Sequence, residues 1–134
     1  MEKDSQIFKK NKKSFKRFTL SFKYCYEGIR YAFYHEQNII VMLVMGIVAM
    51  ILGMILGISY TERLVVILLI GMILSLEMIN TAIEAVVDLV TTEKKPLAKV
   101  AKDCASGAVG IASIFEFILG LLIYLPKLME FFRG

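Results

Sequence analysis

Residues 64–88, LVVILLIGMILSLEMINTAIEAVVD, decide the fold. Positions 64–76 are apolar except for Gly71 and Ser75. From Glu77 the stretch turns polar without any helix breaker, through Glu77, Asn80, Thr81, Glu84 and Asp88. At about 100° per residue, Glu77, Asn80, Glu84 and Asp88 fall within an arc of roughly 80°. One helix therefore has a greasy half and a half with a polar stripe. An ionisable group in hydrocarbon is costly, so the stripe must face protein or water. The helix is expected in a membrane bundle. With so few spans per chain there is little interior to hide the stripe, so a homo-oligomer is expected.

Working outward, residues 39–58 carry no charge and have about the twenty residues that cross a hydrocarbon core. Gly46, Gly53 and Gly57 can allow close helix approach. Between the two spans, residues 59–63 leave room only for a tight turn. The second span is expected over 64–90. A polar loop, 91–99, contains Pro96, and a third span over about 100–125 is expected to stop at Pro126. Glu116 is the only charge in the middle of that span. Upstream, Phe15, Phe18, Phe22, Tyr26, Ile29 and Phe33 recur at spacings of three and four, which marks one face of an amphipathic helix over 14–35. Ser14 is positioned to cap it. Lys16, Lys23, Glu27 and Arg30 fall largely elsewhere, and a basic helix with an aromatic face is expected to lie in the membrane interface. Residues 1–13 read as a basic flexible tail. The expected fold is all-α integral membrane: an N-terminal amphipathic surface helix plus three transmembrane helices, one domain over 14–134.

Composition agrees. The chain has 134 residues, 57% of them hydrophobic, and a mean hydropathy of +0.67, too apolar for a soluble fold of this size. The net charge of +4 is concentrated in the first thirty residues. These lysines and arginines lead into hydrophobic segments, so they suit an anionic membrane surface and not nucleic acid. Cys25 and Cys104 have no metal-ligand spacing and read as small apolar fillers. No cleavable signal peptide is expected. The N-terminal segment and the 91–102 loop are basic, whereas the 59–63 loop holds only Arg63. The positive-inside rule then places the N-terminus and second loop on the cytoplasmic side of the cytoplasmic membrane.

With that topology Glu36, Glu84, Asp88, Lys102 and Asp103 should share one depth at the cytoplasmic interface, with Glu77 about two helical turns deeper than Glu84. Clustered carboxylates suit Mg²⁺ with substrate phosphates, and a nearby lysine suits phosphate charge. A deeper carboxylate could take a proton from a lipid hydroxyl. There is no GxxxxGK[ST] loop, no HRD or DFG set and no GxGxxG, so soluble nucleotide-binding folds are excluded. The residues alone stop at a polar, metal-suited cytoplasmic site on a membrane bundle, open to an interfacial enzyme or to a transport or channel subunit with Glu77 and Glu84 on an ion path. A conduction path needs polar groups along its length, and the apolar run 64–76 favours the interfacial enzyme.

The stretch EMINTAIEAVVD, 77–88, resembles the signature of the prokaryotic diacylglycerol kinase family, and AKDCASGAV, 101–109, resembles its second motif. The Glu36-Gln-Asn38 element and the helix over 17–30, with Tyr24 and Gly28, also fit. The PLAK loop, 96–99, resembles the Gram-positive branch, whose members are chiefly undecaprenol kinases. The resemblance implies a homotrimer with active sites between subunits. It implies that Glu77 is the general base and that Asn80 orients the base and the γ-phosphoryl group. Glu36 and Glu84 would hold Mg²⁺. Arg17, Tyr24, Lys102 and Asp103 would contact ATP, and Ser106 with the groove beside Glu77 would meet the lipid head. The implied reaction is ATP-dependent phosphorylation of undecaprenol to undecaprenyl phosphate, with diacylglycerol as the alternative acceptor. The chain departs from the family's pattern at Lys95, where many relatives carry a histidine.

Overall fold

A computed structural model describes the backbone of residues 2–133 and the side chains of residues 16–133. Its helices are α1 (Glu2–His35), α2 (Gln37–Ile55), α3 (Tyr60–Val90) and α4 (Pro96–Arg133). The chain divides into two units, residues 1–35 and 36–134.

In the first unit α1 begins at Glu2, ahead of Ser14. Ser14 is therefore not at a helix start, and no Gly or Pro upstream interrupts the helix. The side chains of Ser14, Phe15 and the expected 1–13 tail lie outside the described residues. On the described part, Phe18 and Phe22 stack edge to face at 5.1 Å, and Lys23 pairs with Glu27 at 3.7 Å. Both are neighbours one helical turn apart.

In the second unit α2, α3 and α4 are each long and apolar enough to cross a membrane. Helices suit lipid because every backbone polar group is satisfied within the segment. Large apolar side chains stand open on the bundle surface, Leu68 at 64% and Leu122 at 67% exposure, as expected where lipid is the solvent. Several hydroxyls within the spans are also satisfied internally. Ser75, Thr81 and Ser113 each donate to the carbonyl one turn back, at 2.7, 3.0 and 3.0 Å. Helix α3 is central and packs against both α2 and α4.

The α2–α3 turn is tighter than a generic polar break. Leu56 caps α2 and Gly57 takes φ +66, the left-handed conformation glycine adopts freely. The Ile58 N–H then donates to the Gly53 carbonyl at 3.0 Å, closing a Schellman turn. Ile58 folds back on Gly53, where an added Cβ would lie 2.5 Å from its Cδ1. Ile58, Val66 and Ile123 form the buried cluster at this end. Ser59 starts α3 with a capping box: its Oγ accepts from the Glu62 N–H at 3.3 Å, and Glu62 Oε2 accepts from the Ser59 N–H at 2.6 Å. So α3 begins at Tyr60 and not near Leu64. Gly57→Ala is expected to destabilise the hairpin by about 1–2 kcal/mol, the left-handed penalty for a residue with a Cβ. Thermal unfolding in detergent checks it.

At the opposite end, Thr91 caps α3 with an extended backbone. Pro96 occupies the first position of α4, where its missing N–H costs nothing. The helix of the third span does not stop at Pro126. The helix continues through it to Arg133, because one proline removes a single donor, a loss that membrane helices tolerate.

Candidate active site

The buried residues of α3 are Val66, Ile73, Glu77 and Thr81. Their spacing of seven, four and four puts them on one face, turned toward the bundle interior. Glu77 is only 2% exposed. Its carboxylate has no hydrogen-bond or ion-pair partner among the described residues. One turn on, Asn80 Nδ2 donates to Glu84 Oε1 at 3.2 Å. Asn80 Oδ1 is buried with no donor, a group that needs one from elsewhere.

At the end of α3 the character changes from buried to cationic. Lys102 Nζ on α4 donates to Asp88 Oδ1 at 2.6 Å, and Lys99 pairs with Asp103 one turn apart on α4. Between them and the loop lies a cavity of about 680 Å³. Lys94, Lys95, Lys99 and Lys102 line it together with Asp88, Glu93 and Asp103. Glu93 pairs with Lys95 at 3.7 Å on the loop. Lys95, Lys99 and Lys102 are each paired with a carboxylate, so a polyanion such as a triphosphate would take these lysines over from Glu93, Asp103 and Asp88.

Depth follows from observed contacts. The Asp88–Lys102 pair fixes the antiparallel register of α3 and α4. Counting equally along both helices puts Ser106 level with Glu84, one turn deeper. An added Cβ on Gly46 would lie 3.0 Å from Ile70, so the same counting on α2 and α3 puts Glu36 level with Asn80. Glu36 is thus within about one turn of Glu84 in depth. Its side chain makes no cap bond to α2. Within one chain Glu77 lies about 16 Å along α3 from Asp88, with Asn80 and Glu84 between.

Arg17 and Tyr24 belong to the other unit. Both are exposed on α1, and their seven-residue spacing puts them on one flank of the helix. The residues that sequence reasoning underweighted are Asp88, Lys94 and Lys99. For Lys99 the signal was present, as an i, i+4 partner of Asp103. Asp88 and Lys102 were expected at one depth, but the bond between them depends on the rotamers and register of two helices.

A lipid-facing helical bundle with a buried carboxylate in one span and a lysine-lined cavity at the helix ends has the parts that a membrane-embedded phosphotransferase requires. A family model described as "Prokaryotic diacylglycerol kinase" matches residues 23–124, and the chain belongs to that family. It is 41% identical over 120 residues to the undecaprenol kinase of Bacillus subtilis (strain 168), covering 90% of this chain and 98% of that one. It is 36% identical to the diacylglycerol kinase of Synechocystis sp., over 83% of this chain and 64% of that one. To the diacylglycerol kinase of Helicobacter pylori (strain ATCC 700392 / 26695) it is 34% identical, over 77% and 80%. The protein is a membrane lipid kinase, and membership of that family implies that it uses ATP.

Proposed function

We propose that this chain phosphorylates the hydroxyl of undecaprenol with ATP, at the cytoplasmic face of the membrane, giving undecaprenyl phosphate. Glu77 carries the reading: it is a carboxylate 2% exposed on a helix otherwise fit for lipid. There bulk water is scarce, as a base acting on a lipid hydroxyl requires. The 41% identity to an undecaprenol kinase over nearly the full length of both chains favours that acceptor. The diacylglycerol kinases among the relatives keep diacylglycerol as the second acceptor to be tested.

In this reading Glu77 accepts the hydroxyl proton. The lipid oxygen bonds to the γ-phosphorus as the bond to the β,γ-bridging oxygen breaks, and ADP leaves. Asn80, held to Glu84, keeps its buried Oδ1 facing the reacting groups, and Ser106 meets the lipid head. Lys102 and Asp103 at the cavity, with Arg17 and Tyr24 from α1, bind the nucleotide. Glu36 and Glu84 hold Mg²⁺. The donor set fits: both are hard oxygen ligands, and Glu84 keeps Oε2 without a protein donor among the described residues. A bound Mg²⁺ would neutralise charge on the phosphoryl oxygens.

The lysines of the 94–102 stretch against the single Arg63 at the hairpin favour the cavity end and the N-terminus as cytoplasmic, with α1 on that surface. A homotrimer is supported by the open small-residue positions of the spans. An added Cβ on Gly71, Gly107 or Gly110 would meet nothing within 4 Å, so a second backbone can approach closely there.

Purified protein in mixed micelles, given ATP labelled on its γ-phosphate and undecaprenol, is expected to form labelled lipid phosphate. Chelating the divalent metal is expected to stop it. No labelled lipid from folded protein would sink the reading. Lys102→Met is expected to raise the KM for ATP about tenfold to a hundredfold, the cost of one charge-assisted bond. Its melting temperature should hardly move, since the exposed pair with Asp88 adds little stability. Initial rates against ATP concentration check it.

A further inference from the structure

Glu116 takes no part in the chemistry above. It lies about 21 Å along α4 from Lys102 and about 15 Å short of Pro126, inside the hydrocarbon whichever way the helix points. A carboxylate at that depth needs a partner, and among the described residues it has neither a hydrogen-bond donor nor a cation.

It opens into a cavity of about 360 Å³ between the spans, within the range of small-molecule sites. Val66, Ile70 and Ile73 of α3, Met45 and Ala49 of α2 and Phe117 of α4 are among the residues that line it. Ser113, Glu116 and Tyr124 bring the polar side chains. The Ser113 hydroxyl proton is spent on the Val109 carbonyl at 3.0 Å, and that of Tyr124 on the Ala49 carbonyl at 2.8 Å. What remains is a set of acceptors, two hydroxyl oxygens and a carboxylate, in an apolar wall. A cationic donor on an apolar body would satisfy all three. A second copy of this chain cannot supply the cation, since residues 37–62, 64–93 and 103–126 hold no lysine or arginine.

We propose that this cavity is a binding site for a lipophilic amine, its ammonium head paired with Glu116 and its apolar body between α2 and α4. None of the lining residues belongs to the phosphoryl-transfer set, although Ile73 lies one turn from Glu77 on the same face of α3.

Fluorine NMR of para-trifluoromethyl phenethylamine tests it, with full-length protein in detergent micelles and the matching alcohol as neutral control. The wild type is expected to bind the amine saturably and at least about tenfold more tightly than the alcohol, one decade of affinity for one ion pair. Glu116→Gln, of the same shape, is expected to lose that preference while keeping its helix content and melting temperature. Ala49→Phe, which fills the cavity, is expected to bind neither probe. An amine signal no stronger than the alcohol's in the wild type overturns the proposal. So does a preference that survives in Glu116→Gln or in folded Ala49→Phe. The readout needs neither ATP nor lipid substrate, so its failure is distinct from a failure of the kinase reading.

Discussion

Glu77→Gln is expected to lower phosphoryl transfer about a hundredfold to ten-thousandfold, the usual worth of a general base, with ATP affinity left nearly unchanged. Glutamine keeps the shape of the side chain and cannot take a proton. The residue lies on the buried face of α3 with Ile73 and Thr81, far from the lysine-lined cavity, so nucleotide binding has no cause to suffer. The fold should hold as well, because a neutral amide is cheaper to bury than a carboxylate. The neighbouring Thr81 bond goes to the Glu77 main-chain carbonyl and not to its side chain. Initial rates, ATP-analogue titration and melting on the same preparation separate the cases. A structural carboxylate would show itself in the melting curve, and full activity in Glu77→Gln would remove the base assignment.

Glu84→Gln is expected to fail differently. The apparent affinity for Mg²⁺ and ATP should fall about tenfold or more, as when a metal's surroundings are altered, and added Mg²⁺ should recover part of the rate. Glutamine Oε1 can still accept from Asn80 Nδ2, as Glu84 does at 3.2 Å, so the local bond survives while the charge does not. Recovery by metal in Glu84→Gln, and none in Glu77→Gln, would separate metal binding from proton abstraction. Equal insensitivity of both to Mg²⁺ would argue against Glu84 as a ligand.

The spans were legible because an unbroken apolar run can do little else. Residues 39–58 were expected and Gln37–Ile55 is the helix. Their ends were less so. The start of α3 at Tyr60 rests on the Ser59–Glu62 box, a Ser-x-x-Glu pattern that reads equally well as a polar break. Proline normally ends a helix, but α4 runs through Pro126, since a single proline removes one backbone donor and leaves the other helical bonds in place. The stripe from Glu77 to Asp88 follows from periodicity alone. Its internal arrangement does not: Asn80 bonding Glu84, and Lys102 reaching Asp88, depend on rotamers and on a register between helices. Glu36 stands level with Asn80 for the same reason, since only the approach of Gly46 to Ile70 sets how far α2 slides along α3. Arg17 and Tyr24 share a flank of α1, which spacing showed, but their partners lie beyond that helix.

The most direct test of the central claim offers undecaprenol and diacylglycerol together, at equal mole fraction in mixed micelles, to wild-type protein with Mg²⁺ and γ-labelled ATP. The expected result is label predominantly in undecaprenyl phosphate, with none in either lipid for Glu77→Gln. Label predominantly in phosphatidic acid would contradict the assigned acceptor.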